Sequence, residues 1–312
     1  MADSRSSDLD GVFYTNEERR GTKVSGQFSP DPLSPSFVPP ELSVSDEIFH
    51  LFSDLINTTS GIKLDERKKG LLASRLAKRL KKFGMQCFSE YYKKVKSDNQ
   101  ELVEMLNCIS TNTTKFFREQ YHFEYLKNKV IPDVAGTKSL EKAIRIWSAG
   151  CSTGEEPYSI AIAVSEAMSG ISGWNIKVLA TDISTKALET GQTGIYEYEE
   201  LPDDTPLPLL GGYFLRGTGE HAGMIKVKDF VRDMIRFRRL NLKDETYPFS
   251  REFDVIFCRN VMIYFDEHMK RHVLSMFHRH LSDNGYLFLG HSETMLGNGK
   301  FKPAYITVYK KQ

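Results

Sequence analysis

The stretch I-R-I-W-S-A-G-C-S-T-G-E-E-P, residues 144–157, decides the fold of this chain. It opens as a short apolar run, 144–147, of the kind that makes a buried strand. Small residues follow (Ser148, Ala149, Gly150, Cys151, Ser152, Thr153, Gly154), and an amphipathic helix is expected from Glu155 to about Met168. Pro157 falls in the first helical turn, where its missing N–H costs nothing. A strand, a glycine-rich turn and a helix N-terminus make a cradle for a nucleotide-like ligand. Glycine lets the backbone approach, and free N–H groups point at the ligand. The detail is wrong for a phosphate. The turn carries two carboxylates, Glu155 and Glu156, with no G-x-x-x-x-G-K-[ST] and no complete G-x-G-x-x-G.

Carboxylates at that edge suit a ligand with hydroxyls and an ammonium group, and S-adenosylmethionine (SAM) has both and no phosphate. Residues 176–181, I-K-V-L-A-T, read as the next buried strand, and Asp182 ends it. In open α/β sheets an acidic residue there bonds ribose hydroxyls, about 20 residues after the glycine turn. Here the gap from Gly154 is 28 residues, and the 169–173 loop accommodates the excess. The competing role for Asp182 is to cap the helix expected over 184–190.

The composition excludes several classes. With 312 residues, 40% hydrophobic and 27% charged, the chain can bury a substantial core in two domains. No run approaches the roughly 18 apolar residues of a membrane span. The start, M-A-D-S-R-S-S-D-L-D, has no apolar core of a secretory signal. Cys87, Cys108, Cys151 and Cys258 lack C-x-x-C spacing, which argues against zinc or a disulfide framework and fits a reducing cytosol. His268 and His272 share a helical face without a third ligand, and a solvated face explains them better than a metal.

Residues 1–42 are polar, with Pro30, Pro32, Pro35, Pro39 and Pro40 close together, and are expected as a disordered tail. Residues 43–120 read as an all-helical domain, with helices over 46–60, 65–83, 87–97 and 100–111. A linker helix is expected within 121–142. Residues 143–312 alternate strand and helix, with strands at 144–147, 176–181, 253–258, 285–290 and 305–309: a doubly wound α/β sheet. Within it the rhythm changes between about 194 and 240, with a proline-broken stretch at 201–210 and short strands at 213–216, 224–228 and 235–240, the last rejoining the main sheet and leaving an inserted piece of about 194–236. This is expected to be a small antiparallel β-insertion.

From Lys63 to Lys82 there are nine Lys or Arg against two acids. Leu72, Leu76, Leu80 and Phe83 are expected to form a buried stripe, while Lys68, Arg75, Arg79 and Lys82 fall on another face. Most charge runs are solvated faces. Nucleic acid is an alternative partner, but the face lacks interleaved aromatics and the chain's pI is near neutral, about 7.7. Such a density of charge otherwise fits an acidic protein surface. Further on, Phe116 and Phe117 stand beside Arg118 where the helical and α/β parts join, and are expected to form a lid. Arg259, Asn260 and Tyr264 follow the apolar strand 253–258, where ligands of doubly wound sheets sit.

Four motifs together resemble the CheR-type chemotaxis receptor protein-glutamate O-methyltransferases: T-K-F-F-R-E at 114–119, S-T-G-E-E-P-Y-S at 152–159, F-C-R-N-V-M-I-Y-F at 257–265 and G-H-S-E at 290–293. The resemblance runs from about Ser45 to Lys310. It implies a SAM-dependent methyltransferase sheet with an N-terminal all-helical domain and a small antiparallel β-insertion. The implied reaction is transfer of methyl from SAM to glutamates in chemoreceptor cytoplasmic helices, giving methyl esters and S-adenosylhomocysteine, with no metal. The resemblance puts SAM contacts at Asn112, Thr114, Arg118, Glu156, Asp182, Asn241, Leu242, Cys258 and Arg259. The expected partner is the cytoplasmic domain of a methyl-accepting chemoreceptor, met by Lys68, Arg75, Arg79 and Lys82. Some family members also grip a C-terminal tether of the receptor with the insertion, and the glycine-punctuated stretch 214–223 resembles theirs. A cytoplasmic monomer without nucleic acid or membrane insertion is expected.

The chemistry follows without a general base. A glutamate carboxylate, with a pKa near 4.3 in water, is already ionised at neutral pH. Arg118 and Tyr264 are the groups expected to hold it for in-line displacement, by charge-assisted and hydroxyl hydrogen bonds. Two other classes stay open at this point. One is a SAM-dependent enzyme acting on nucleic acid or a small molecule, although no N-P-P-Y-type motif is present. The other is a non-catalytic SAM-binding regulator or a dinucleotide-binding oxidoreductase, against which stand Arg118, Tyr264, Asp182 and the missing third glycine.

Overall fold

The computed structural model describes residues 13–14, 43–293, 295 and 299–312. Of the segment expected as a tail, only Phe13–Tyr14 is described, as a short strand β1; the rest lies outside the described residues. The helical part contains α1 (Asp46–Ser60), α2 (Lys69–Phe83), α3 (Phe88–Ser97) and α4 (Asn99–Ile109). Its ends are set by caps. Ser45 Oγ accepts from Ile48 N, Asp98 accepts from Gln100 N and Glu101 N, and Gly61 and Gly84 close α1 and α2 in the left-handed region. The helix expected over 65–83 starts instead with a 3-10 turn, Glu66–Lys68, because Asp65 caps Arg67 N first. Phe49, Phe52, Ile56, Leu72, Leu76, Leu80, Tyr91 and Met105 fill the core of the four helices.

α5 (Tyr121–Tyr125) continues through a π-turn, Leu126–Val130, into α6 (Ile131–Thr137). Strand and helix then alternate: β2 (Ala143–Ala149), α7 (Glu155–Ala167), β3 (Asn175–Asp182) and α8 (Thr185–Thr193). The insertion holds β4 (Ile195–Glu197), α9 (Leu207–Tyr213), β5 (Phe214–Gly217), β6 (Met224–Val227) and α10 (Asp229–Arg232). The main sheet resumes with β7 (Ile235–Arg239), β8 (Phe253–Cys258), α11 (Glu267–His280), β9 (Leu281–Leu289), β10 (Phe301–Tyr305) and β11 (Val308–Lys311).

The seven strands lie in the order β10-β11-β9-β8-β2-β3-β7. All neighbours from β9 to β7 are parallel, and β11 runs antiparallel to β9 and β10. The chain winds outward from β2 through β3 to β7, then returns to β8 on the other side. This reversal opens a crevice at the carboxyl ends of β2 and β8, where doubly wound sheets bind ligands. Apolar cores pack on both faces of the sheet, so every residue of β8 is buried.

Three details depart from expectation. Residues 305–309 straddle a turn, with Thr307 at φ 50, so the last segment is a hairpin and not one strand. β4 is three residues long, too short to show a period. The proline-broken stretch contains α9, because Pro208 sits in its first turn, where no N–H is missed. In the insertion sheet, β1 pairs antiparallel with β5, with Phe13 opposite Gly217 and Tyr14 opposite Arg216.

The helical part docks against the sheet's carboxyl edge. Asn107 exchanges hydrogen bonds with Thr185 at 2.9 Å each way, and Asn241 Nδ2 donates to Thr59 O at 2.6 Å. Lys63 N donates to Tyr264 O at 2.9 Å beside an antiparallel bridge between Ile62 and Phe265. Among the described residues, no helix is long and apolar enough to cross a membrane.

Candidate active site

Strand ends deliver the polar groups. Gly150 N and Cys151 N both donate to Thr181 O, at 2.8 and 2.9 Å, which stitches the glycine turn to the end of β3. Gly150 has φ 83, and a Cβ there would lie 2.4 Å from Val261 Cγ2. Gly154 has φ 103, and a Cβ would lie 2.8 Å from Gly191 Cα. Both glycines thus permit close packing of protein on protein, and only Gly150 also lines the crevice. Asp182 Oδ2 accepts from Ser152 N and Oδ1 from Ser184 N, both at 2.8 Å. The cap of α8 is Ser184, whose Oγ accepts from Ala187 N. Asp182 therefore braces the turn beside a cavity wall, and burial pushes its carboxyl above the usual range.

One cavity fills the crevice. Its wall includes Asn112, Thr114, Arg118, Glu156 and Asp182 from the first half of the sheet domain. Asn241, Leu242, Arg259, Asn260 and Tyr264 complete it from the other. Cys258 is the exception among the predicted contacts: it is fully buried at the end of β8 and does not line the cavity. The strand alternation points its thiol into the core beside Ile256 and Leu289.

Arg259 is the electrostatic centre. Its guanidinium meets Glu156 Oε2 at 3.3 Å and Glu119 Oε2 at 3.2 Å, and donates to Arg118 O. Burial pushes the Glu119 carboxyl up, but Arg259 and the hydrogen bond from His291 N help to bring it below its ordinary value. At Glu156 the balance reverses: burial wins over Arg259, and the carboxyl is raised. Glu119 carried no role in the sequence reading, although its motif was visible. Its use depends on the 113–119 segment crossing over the sheet, which no local pattern shows.

The two turn carboxylates part company. Glu156 accepts from Ser148 Oγ at 2.8 Å and faces the cavity. Glu155 turns the other way, accepts from Thr153 Oγ1 at 2.7 and 2.9 Å, and neighbours Glu200 of the insertion. Burial pushes the Glu155 carboxyl up to about 7. The expected pair at the ligand edge is thus a single carboxylate.

Phe116 is not a lid. It is fully buried and packs edge-to-face on Tyr196 and Phe214, at 5.0 and 5.4 Å between ring centroids, tying the crossing segment to the insertion. The polar backbone of that segment covers the cavity: Ser152 Oγ donates to Asn112 O at 2.9 Å, and Arg118 Nη1 to Thr113 O at 3.2 Å.

A second, smaller groove runs along α2 and shares Ile62, Thr111 and Tyr264 with the cavity. The four cations assigned to one face of α2 do not share it. Arg79 is buried and held by Glu101 and Glu104, with Nε–Oε1 at 2.9 Å and Nη1–Oε2 at 3.3 Å. Tyr91 Oη donates to the same Glu101 at 2.6 Å. Arg75 folds back on Ile109 O, Ser110 O and Thr111 Oγ1, fixing the chain that enters the cavity. Lys68 lies over the Tyr264 ring, 5.4 Å from its centroid, and Lys82 is exposed. Phe83, expected to be buried, is partly exposed beneath Lys94. α4 packs against the side of α2 that carries Arg79, which buries that cation.

A family model described as "CheR methyltransferase, SAM binding domain" matches residues 112–310, and one described as "CheR methyltransferase, all-alpha domain" matches 47–110. The chain is 41% identical over 272 residues to a chemotaxis protein methyltransferase of Borreliella burgdorferi, covering 85% of this chain and 94% of that one. It is 41% identical over 255 residues to the chemotaxis protein methyltransferase of Escherichia coli, covering 81% and 86%. It is 38% identical over 264 residues to chemotaxis protein methyltransferase 2 of Pseudomonas aeruginosa, covering 84% and 92%.

Proposed function

The chain belongs to the CheR methyltransferase family, and on that premise we propose that its cavity holds SAM and that Tyr264 and Arg118 receive the substrate carboxylate there. The protein is a SAM-dependent protein-glutamate O-methyltransferase of chemotaxis, with chemoreceptors as its substrate. The observation that carries the residue-level reading is the meeting of cavity and α2 groove at Ile62, Thr111 and Tyr264. A side chain presented along α2 enters the cavity past the tyrosine.

The cavity fits the cofactor chemically. Glu156 and Asp182 bring carboxylates to a cavity at the strand ends, suited to hydroxyls and an ammonium group. We assign SAM contacts to Asn112, Thr114, Arg118, Glu156, Asp182, Asn241, Leu242 and Arg259. When bound, SAM supplies an electrophilic methyl on a sulfonium. The protein's own part is alignment and exclusion of water. Arg118 and Tyr264 orient the already ionised carboxylate, while Ile62, Leu240, Leu242 and Val261 supply apolar wall. Arg259, paired with Glu119 and Glu156, adds no net positive charge that would hold the nucleophile too tightly.

The decisive experiment incubates the protein with methyl-labelled SAM and chemoreceptor cytoplasmic fragments. Base-labile label on glutamate is the expected result. Tyr264→Phe should keep SAM affinity and lower transfer roughly 10- to 100-fold, the worth of one hydrogen bond to a charged group. Wild-type transfer in that variant removes the tyrosine from the reading.

A finer contact concerns the insertion. We propose that the β5 edge accepts an extended receptor tether as an added strand. What supports this is that the edge already accepts extended backbone, since β1 pairs there. A tether peptide would compete with Phe13–Tyr14, so removing residues 1–42 should tighten peptide binding. Absence of binding by every receptor C-terminal peptide, with or without those residues, leaves the insertion as a brace. Gly217→Val is no clean probe, because a Cβ there would lie 2.1 Å from His221 O.

A further inference from the structure

Glu293 stands outside the cavity wall and is 5% exposed. Its carboxylate has no cation within the ion pairs of the described residues. It is held instead by four backbone amides. Oε2 accepts from Asn260 N at 2.8 Å and Gly290 N at 2.7 Å. Oε1 accepts from Val261 N at 3.0 Å and Met262 N at 2.7 Å. Three of these donors are consecutive, and they belong to the turn between Arg259 and Tyr264.

That turn needs outside support. Asn260 has φ 60, in the left-handed region that costs a non-glycine residue energy unless its surroundings hold it there. Its amides point together, out of any helix or strand ladder, and buried amides without acceptors cost about 1–3 kcal/mol each. A carboxylate satisfies all three at once. The approach is possible only because residue 290 is glycine: a Cβ there would lie 2.7 Å from Asn260 N and 2.8 Å from Glu293 Oε2. From the other side the turn abuts Gly150, where a Cβ would strike Val261. The turn is thus clamped between the end of β9 and the end of β2.

We infer that Glu293 is a positioning residue for methyl transfer: it sets the direction in which the 3-10 turn Met262–Tyr264 presents the Tyr264 hydroxyl to the substrate carboxylate. This rests on the role proposed above for Tyr264. Arg259 is tied down independently by Glu119 and Glu156, whereas the backbone of Tyr264 follows directly from the clamped turn, with Tyr264 N donating to Val261 O at 3.2 Å. Loss of the clamp should therefore move the tyrosine more than the arginine.

The test uses the full chain with receptor cytoplasmic fragments. Glu293→Gln keeps the shape but turns an NH2 group towards two of the four amides. A displacement of about 1 Å at a reacting group can cost on the order of 100-fold in rate. The expected result is a fall in kcat of that order with SAM affinity within about 3-fold of wild type. The decisive comparison is a double-mutant cycle with Tyr264→Phe, in which adding Glu293→Gln should change kcat by less than about 2-fold. A multiplicative double mutant, unchanged kcat, or SAM affinity lost in step with kcat would each overturn the inference. If Tyr264→Phe alone turns over like wild type, the Tyr264 reading fails first, and the outcome is told apart from failure of the clamp. Should Glu293→Gln not fold, Gly290→Ala presses on the same contact with the carboxylate intact, and the same cycle applies.

Discussion

Arg79 and Arg259 are both buried arginines gripped by two carboxylates, and they do opposite things. Arg79 lies inside the helical part between Glu101 and Glu104, with Tyr91 closing the remaining face. Arg259 lies between Glu119 and Glu156, and its site opens on the cavity. The local chemistry is the same. What differs is the packing behind it. Around Arg79 three helices converge and leave no room for a ligand, so the network joins α2, α3 and α4. Around Arg259 the reversal of strand order keeps the strand ends apart, so the same kind of network becomes the wall of a site.

The largest effect should come from the closed network. Burial alone would raise Glu101, and the bonds from Arg79 and Tyr91 outweigh it, leaving its carboxyl below the ordinary value. Arg79→Ala strands that carboxylate and should cost about 3–5 kcal/mol in denaturant unfolding. Among surviving folded molecules the salt dependence of the receptor KM should match wild type. A stable variant with an altered salt response would instead return Arg79 to the receptor face.

On the open side the loss should appear as affinity. Asp182→Ala should weaken SAM binding by roughly 1.5–3 kcal/mol, the worth of a charged hydrogen bond. Calorimetry finding unchanged affinity in a folded variant would leave Asp182 as a brace for Ser152 and Ser184 only.

Glu155 and Glu156 repeat the contrast one residue apart. Glu155 has its folded pKa raised from about 4.5 to about 7 by burial. A raised carboxyl favours the folded state while protonated, so its contribution is present below its unfolded pKa and is lost as pH rises through the folded one. The stability of Glu155→Gln relative to wild type should therefore improve between pH 5 and pH 8, by on the order of 1–2 kcal/mol. Parallel stability profiles for the two proteins would contradict a protonated Glu155.

The smallest effect belongs to the surface. Lys78 and Lys82 remain exposed on α2, and reversing both to Glu should raise the receptor KM by a few-fold at low salt, without altering SAM affinity. The change should fade as salt screens it. No change at any ionic strength would make this face a solvated bystander.

Local pattern alone determined much of this protein. The apolar run into a glycine turn, Asp182 at the next strand end and Arg259 after β8 were legible, because strands that end at a sheet's edge must project their next residues into the crevice. The helix over 46–60 and the helix end at 83 were likewise legible, and the structure has both. Tertiary structure decided what depends on the neighbour. Whether Arg79 faces solvent or Glu101, whether Phe116 covers a cavity or fills a core, and which of Glu155 and Glu156 meets the ligand are set by contacts between segments far apart in sequence. Glu293 is the clearest case. It lies 31 to 33 residues from the amides it binds in the Asn260–Met262 turn, and only the parallel pairing of β8 with β9 brings it beneath them. A helix face or strand alternation states which side chains share a side, but the fold states what occupies that side.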